Sequence, residues 1–116
     1  MSSYRAIYPT TLMNAQSVSG TATYHSNALY IPHLTNCAFK ISWDGTVTGN
    51  NGSVIVEVSM EGTDYSDLGM AITSPNGSPG FDVINIQGLA VQYVRVTYTN
   101  ASGSGTMSVK GSARGI

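Results

Sequence analysis

The sequence contains little charge. Only 9% of its 116 residues are Asp, Glu, Lys or Arg, and the formal net charge is -1, whereas about a quarter of an average soluble protein is charged. Serine, threonine, asparagine and glycine fill the polar positions instead. The five basic residues are scattered, so they offer no patch for a run of phosphates or for an anionic bilayer. The composition therefore predicts that the protein binds neither nucleic acid nor a membrane.

Cysteine and long apolar runs are also scarce. Cys37 is the single cysteine, which excludes an internal disulfide and a metal cage built from cysteines. The first residues, MSSYRAIYPTTLMNAQS, contain no apolar core of the length that a signal peptide needs. No run of about eighteen apolar residues is present to span a bilayer. We therefore expect the protein to be synthesised and folded in a cytoplasm.

Apolar residues recur with a spacing of two, which is typical of half-buried β-strands. The pattern is clear over 36–44, 53–60, 92–99 and 106–110. Residues predicted to face the core are Cys37, Phe39, Ile41, Trp43, Val54, Val56, Val58, Met60, Val94, Val96, Tyr98, Met107 and Val109. Weaker strand patterns cover 4–8, 21–24, 28–31 and 81–87. In the last of these, Phe81 and Val83 compete with Ile84 and Ile86 for the inner face, and a bulge could reconcile them.

Glycine-containing turns separate these segments, and no stretch of ten or more residues has a helical period. The pattern predicts an all-β fold, an antiparallel two-sheet β-sandwich of about eight strands. The residues themselves leave immunoglobulin-like and jelly-roll connectivity open. Residues 93–111 are predicted to form a closing hairpin. We expect one sandwich domain over 20–116, preceded by an N-terminal arm or edge strand over 1–19.

The residue inventory does not favour catalysis. His25 and His33 flank a predicted strand and do not have the spacing of zinc ligands on a helix. The chain has no nucleophile elbow and no phosphate-binding loop. The acids between 57 and 67 lack calcium-loop spacing, and a solvated hairpin accounts for them. We therefore predict no catalytic residue, no metal, no cofactor and no enzymatic activity.

Arginine and tyrosine side chains outside the core pattern are the candidates for contacts with other molecules. Arg95 lies on the face opposite Val94 and Val96, where it is either solvated, paired across the sheet, or an anchor in a subunit contact. Several tyrosines could stack on sugars or cover protein contacts; they are Tyr4, Tyr8, Tyr24, Tyr30, Tyr65 and Tyr93. The residues predicted to form an interface are Tyr4, Arg5, Tyr8, Tyr93 and Arg95.

Three long segments carry a recognisable succession of motifs: SGTATYHSNALYI (19–31), LTNCAFKISWDGTVTGNNGSVIVEVSMEGTDYSDL (34–68) and QYVRVTYTNASGSGTMSVKGSARG (92–115). This succession resembles a family of small β-sandwich structural proteins of tailed bacteriophages. The similarity lies in a Ser-Gly-Thr-Ala-Thr strand, a strand ending in Trp, a hairpin with an aromatic residue after its turn, and the closing segment. Tyr65 stands where Trp is more usual in the family, and Glu61 where Asp or Asn is expected.

The resemblance implies a virion component on a jelly-roll or discoidin-like sandwich, synthesised in the host bacterial cytoplasm. Its implied role is that of a capsid decoration, or cement, protein that stabilises the head by adding subunit contacts. A tail-associated accessory or carbohydrate-binding adhesion module is the alternative. The expected partners are the major capsid protein or other virion proteins, together with further copies of the chain in a homo-oligomer, a trimer being favoured. A surface with few charges fits this expectation, because hydroxyl-rich faces are buried without desolvating unpaired ions.

Overall fold

A computed structural model describes residues 6–32, 34–45, 52–73, 80–100 and 104–115, and these form strands, turns and loops. The strands are β1 (Ala6–Ser19), β2 (Ala22–His25), β3 (Leu29–Tyr30), β4 (Asn36–Gly45), β5 (Gly52–Ser59), β6 (Ser66–Thr73), β7 (Gly80–Ile86), β8 (Tyr93–Asn100) and β9 (Ser104–Arg114). The described part of the chain contains no helix that is long and apolar enough to cross a membrane.

The strands form two antiparallel sheets. The first sheet has the order β1-β9-β4-β7, and the second has the order β2-β8-β5-β6 with β3 also beside β8. The chain changes sheet at each connection except β2 to β3 and β5 to β6. This interleaved order is that of a jelly roll. Since β2 and β3 both pair with β8, they act as one interrupted strand, and the nine strands of the described residues count as eight. The predicted sandwich of about eight strands is therefore confirmed.

The interruption between β2 and β3 is a bulge held by a buried serine. His25 is opposite Thr97 and Leu29 is opposite Val94, so the β2–β3 side contains one extra residue. Ser26 fills the gap, because its N–H donates to the Val96 carbonyl at 2.8 Å and its Oγ accepts the Val96 N–H at 3.0 Å. The chain therefore continues along β8 with its backbone groups satisfied.

The core lies between the sheets and contains most of the residues predicted from the alternation. The largest fully buried side chains include Tyr98, Phe39 and Met107. Met60 is the exception, because it is 62% exposed. Strand β5 ends at Ser59, whose Oγ accepts the N–H groups of Glu61 and Gly62 at 3.2 and 2.8 Å. The chain turns away from the core at that point, so the prediction for Met60 is wrong.

Strand β7 forms one edge of the first sheet, and its regular pairing settles which side chains face inward. Its register with β4 runs without a shift from Cys37–Ile86 to Trp43–Gly80. Ile84 and Ile86 are buried, whereas Phe81 and Val83 are 64% and 53% exposed, so the bulge that could have reconciled them is absent. Next to Val83, the Asp82 carboxylate accepts the Val83 N–H through Oδ1 at 2.8 Å.

The segment predicted as a closing hairpin is instead a crossing between sheets. Strand β8 pairs with β2, β3 and β5, and β9 pairs with β1 and β4. Alternation shows which face of a strand is buried but not which strand lies beside it, so this prediction is wrong. The hairpin predicted around Tyr65 does form, between β5 and β6, although β6 itself had no clear sequence pattern.

The N-terminal segment enters the first sheet as β1, which pairs with β9 and forms the other edge. Its register shifts at three places, and Ala15 has a φ of 49° at the last of them. The N–H of Ala15 donates to Ser108 Oγ at 2.9 Å, which fixes the irregular backbone onto β9. The candidate interface residues Tyr4 and Arg5 lie outside the described residues, and Tyr8 is described only as part of the β1 backbone.

Candidate functional site

The outer face of the second sheet brings together the remaining candidate residues. We use the name second-sheet face for the outward side chains Thr23, His25, Tyr30, Ser53, Ile55, Glu57, Tyr93, Arg95, Thr97 and Thr99. Their arrangement follows from the pairing of β8 with its neighbours, which places Arg95 opposite Glu57 and Tyr93 opposite Tyr30. Sequence alternation predicted the side of β8 on which Tyr93 and Arg95 lie, but not these partners.

A charge pair occupies the middle of this face. Arg95 Nε donates to Glu57 Oε1 at 2.8 Å, and the two side chains are only 22% and 17% exposed. Thr97 Oγ1 donates to the same carboxylate oxygen at 2.6 Å. Since that hydroxyl gives its proton to Glu57, its oxygen accepts from His25 Nδ1, which lies 2.8 Å away. Four side chains from three strands are thus joined in one network, and the opposite charges neutralise each other.

The turn after β5 covers part of the charge pair. Tyr65, at the end of that turn, places its ring 3.8 Å from Arg95 Cζ, measured to the ring centroid. A guanidinium that stacks on one aromatic ring while its Nε–H bonds to a carboxylate has one face covered and one donor engaged. Arg95 is therefore a cross-strand-paired residue that is still 22% exposed.

The same turn rests on a pair of tyrosines. The rings of Tyr30 and Tyr93 lie with their centroids 5.0 Å apart and tilted by 35°. Gly62 approaches Tyr93 so closely that a Cβ atom there would be 3.2 Å from the ring Cζ, and its φ is 88°. Only glycine adopts this backbone without strain. A side chain at position 62 would therefore strain the turn and press on the Tyr93 ring.

Replacing Gly62 by alanine is expected to destabilise the protein by about 1–3 kcal/mol, because the left-handed backbone and the contact with Tyr93 both oppose a side chain. Urea denaturation would measure the change. The matched control is Gly69→Ala, since Gly69 has a φ of 93° but open space around the added Cβ. A loss for Gly62→Ala no larger than for Gly69→Ala would contradict a role for the ring contact.

Electrostatics at the charge pair favour the ionised carboxylate. Burial raises the pKa of Glu57, but the hydrogen bonds from Thr97 and Arg95 and the positive charge of Arg95 outweigh burial and leave the pKa below the usual glutamate range. The carboxylate is thus charged at neutral pH and bound to its partners. This stabilisation is present above the pKa of an unfolded glutamate, about 4.3, and is lost as the pH falls through the lower pKa of the folded state.

Glu57→Gln is expected to lower the free energy of unfolding by about 1–3 kcal/mol at neutral pH, since it removes a charged acceptor from two donors. The difference from the unchanged protein should shrink as the pH falls below about 4. Denaturation curves at a series of pH values would show this. Glu61→Gln removes the same charge from an exposed turn residue and should have little effect. A difference for Glu57→Gln that stays constant down to acidic pH would contradict the argument.

Other reactive groups are isolated. Burial raises the pKa of the Cys37 thiol to about 11, so it remains protonated and fills space between the sheets. Within the described ranges, no three side chains of His, Cys, Asp or Glu lie together as metal ligands would. Asp67 Oδ1 accepts the Gly69 N–H at 2.7 Å, which is a local turn contact. His33 lies outside the described residues.

Comparison with known proteins gives similarity in fold rather than in sequence. No protein-family model and no curated protein matches the chain. Among solved structures, VP2 of infectious bursal disease virus, in a subviral particle, matches 97% of this chain with a TM-score of 0.70 and 9% identity. This chain spans only 33% of that VP2 chain.

Two phage proteins match as well. The SPBc2 prophage-derived protein YomS has a TM-score of 0.54 and 13% identity, over 98% of this chain and 96% of its own. The enzymatically active domain of tailspike protein 4 of bacteriophage CBA120 has a TM-score of 0.52 and 9% identity, over 98% of this chain and 19% of its own. At these identities the comparisons show the fold, which is a jelly-roll-like β-sandwich also found in viral capsid and phage proteins.

Proposed function

We propose that the protein is a non-enzymatic structural component of a tailed-bacteriophage virion, and that it is a capsid decoration protein. It is synthesised in the host cytoplasm and binds the assembled head, where added subunit contacts raise the barrier to rupture. The observation that carries the proposal is the second-sheet face, whose central charges are paired with each other and largely withdrawn from solvent before any partner arrives. The phage resemblance of the sequence and the viral proteins that share the fold support it.

Burying a protein surface against a partner removes water from its polar and charged groups, which costs free energy. A face that carries unpaired ions has to be desolvated when a partner covers it, and this cost can exceed the gain from contact. On the second-sheet face, Arg95 and Glu57 already satisfy each other, and the surrounding positions are mostly hydroxyl-bearing residues such as Thr23 and Thr99. A partner can therefore cover this face with hydrogen bonds and apolar contacts and without isolating a charge.

Apolar side chains at one end of the face provide anchors. Tyr30 is 50% exposed and Met60 is 62% exposed. Tyrosine and arginine are enriched among the residues that dominate binding energies in protein interfaces. The Tyr93 ring contacts the Tyr30 ring, and Arg95 is two residues further along β8. A contact of ordinary size needs about 800 Å² from each partner, which is a small part of the 6450 Å² surface of this chain.

The direct test is to mix the purified protein with undecorated capsids of the phage that encodes it. We expect stoichiometric co-sedimentation and a higher temperature of capsid disruption. Thr99→Glu, which puts an unpaired charge on the second-sheet face, should abolish binding. Asn85→Glu makes the same change at an exposed position of β7 and should bind normally. Failure of the unchanged protein to bind heads would overturn the proposal, and localisation at the tail would favour a tail accessory role.

Self-association is the second part of the proposal. The phage resemblance favours a trimer, and a low-charge surface has little repulsion to keep copies apart. Light scattering after size exclusion should report a particle three times the mass of the chain. A monomer at high concentration would contradict this part while leaving monomeric binding to the capsid testable by co-sedimentation.

A further inference from the structure

A groove crosses the outer face of the first sheet, on the opposite side of the sandwich from the second-sheet face. Its volume is about 490 Å³, within the range of small-molecule sites. Its lining side chains come from β4, β7 and β9 and include Lys40, Ser42, Asp44, Phe81, Thr106 and Ser108. The proposed structural function makes no use of this groove.

The pairing of the strands places these chemically different groups side by side. Ser42 is the cross-strand neighbour of Phe81 on one side and of Ser108 on the other. Asp44 and Thr106 form the adjacent cross-strand pair. The groove therefore has an aromatic ring at the edge strand, hydroxyl groups across its floor and a carboxylate at one end, all on a rigid sheet.

The exposed ring is the feature that most needs an explanation. Phe81 is 64% exposed. It occupies an outward position of β7, where a polar residue would be the ordinary choice. Lys40 Nζ lies 4.9 Å from the centroid of the ring, so a cation is held at the edge of the same groove. An exposed ring next to hydroxyl, carboxylate and ammonium groups matches a ligand that has an apolar face and a polar rim.

Positive charge is concentrated at the Lys40 end. Lys110 is directly opposite Lys40 on β9, and like charges in that position destabilise a sheet. Within the described part of the chain, neither lysine forms an ion pair, and the Glu57 carboxylate that pairs with Arg95 lies on the other sheet. An anionic group bound at this end would relieve the repulsion.

We propose that this groove binds a saccharide of one or two sugar residues, with a preference for a sugar that carries a carboxylate. The C–H face of a pyranose ring packs on Phe81, its hydroxyl groups bond to Ser42, Asp44, Thr106 and Ser108, and its carboxylate meets Lys40. This inference goes beyond the proposed structural role and does not depend on it.

The test uses Trp43, the only tryptophan of the chain, which also lines the groove. Its fluorescence is followed during titration with cellobiouronic acid and with cellobiose, two disaccharides that differ in a carboxylate. We expect saturable binding that is tighter for the acid. Phe81→Ala should weaken binding of the acid about tenfold, a loss of the size expected for an aromatic contact. Lys40→Gln should remove the preference for the acid.

Val83→Ala is the matched control, because Val83 is on the same strand and the same outward face but does not line the groove. It should bind the acid as the unchanged protein does. Absence of saturable binding of either sugar at millimolar concentration, seen by fluorescence and by ligand-observed NMR, would overturn the inference. So would binding that Phe81→Ala leaves intact. Capsid binding through the second-sheet face should be unchanged in Phe81→Ala, so the two proposals can fail separately.

Discussion

Phe39→Ala is expected to lower the free energy of unfolding by about 3–5 kcal/mol, the range for removing a fully buried phenylalanine. Phe39 is completely buried in β4, the central strand between β9 and β7. Its ring lies close to Gly111 of β9, where an added Cβ would be 3.1 Å from the ring Cε1. Because glycine leaves room at this point for the phenylalanine ring, truncation of the ring leaves a cavity that neighbouring backbone cannot easily fill.

The chain contains its own control for this experiment. Phe81 is the only other phenylalanine, and it is mostly exposed on the neighbouring strand β7. Phe81→Ala makes the same chemical change and should cost less than about 1 kcal/mol. Thermal unfolding would show the contrast, since a change of 1 kcal/mol shifts the midpoint by several degrees in a domain of this size. Equal effects of the two substitutions would mean that the assignment of β7 faces is wrong.

Asn100→Ala is expected to lower the free energy of unfolding by about 2–4 kcal/mol, because one buried and one partly buried hydrogen bond disappear together. Asn100 lies at the end of β8 and is fully buried. Its Oδ1 accepts the Tyr98 hydroxyl at 2.6 Å, and its Nδ2 donates to the Gly20 carbonyl at 2.6 Å. Gly20, which has a φ of 62°, is in the turn from β1 to β2. The amide therefore ties the last residue of a second-sheet strand to the connection between the two sheets.

A double-mutant cycle would separate this network from simple loss of volume. Tyr98→Phe removes the hydroxyl alone and should cost about 1 kcal/mol. The combination with Asn100→Ala should cost less than the sum, since both changes remove the same bond. Asn85→Ala, at an exposed position of β7, should be nearly neutral. Additive losses in the cycle would show that the hydroxyl and the amide stabilise the protein independently.

Period-two alternation was enough to identify the sandwich and most of its core. Residues such as Val56 and Val96 were placed correctly because the alternation in each strand depends only on which face is buried. Alternation does not show where a strand ends, as at Met60, because the hydrogen bonds of Ser59 that stop β5 are not visible in the apolar pattern. Nor does it show the partners of the strands in 93–111, because a jelly roll pairs strands that are distant in sequence.

The candidate site was predictable only in part for the same reason. The outward direction of Arg95 follows from its own strand, but Glu57 is in another strand and no local pattern joins the two. Opposite charges on outward positions of two predicted strands would have been the available signal. Tyr65 was recognised as the aromatic residue after a turn, yet its place over Arg95 depends on the positive φ of Gly62. The assignment of an interface to Tyr4, Arg5, Tyr8, Tyr93 and Arg95 stays a prediction.

The carboxylate of Asp82 has a consequence for how copies of the protein behave when they accumulate. Fibre growth by addition of strands starts at an edge whose N–H groups are available, and on β7 one such donor is occupied by a side chain from the preceding residue. A negative charge at that edge also repels an identical edge approaching from another molecule. Association through the β7 edge is thereby disfavoured, which is what the proposed binding to a capsid lattice would require.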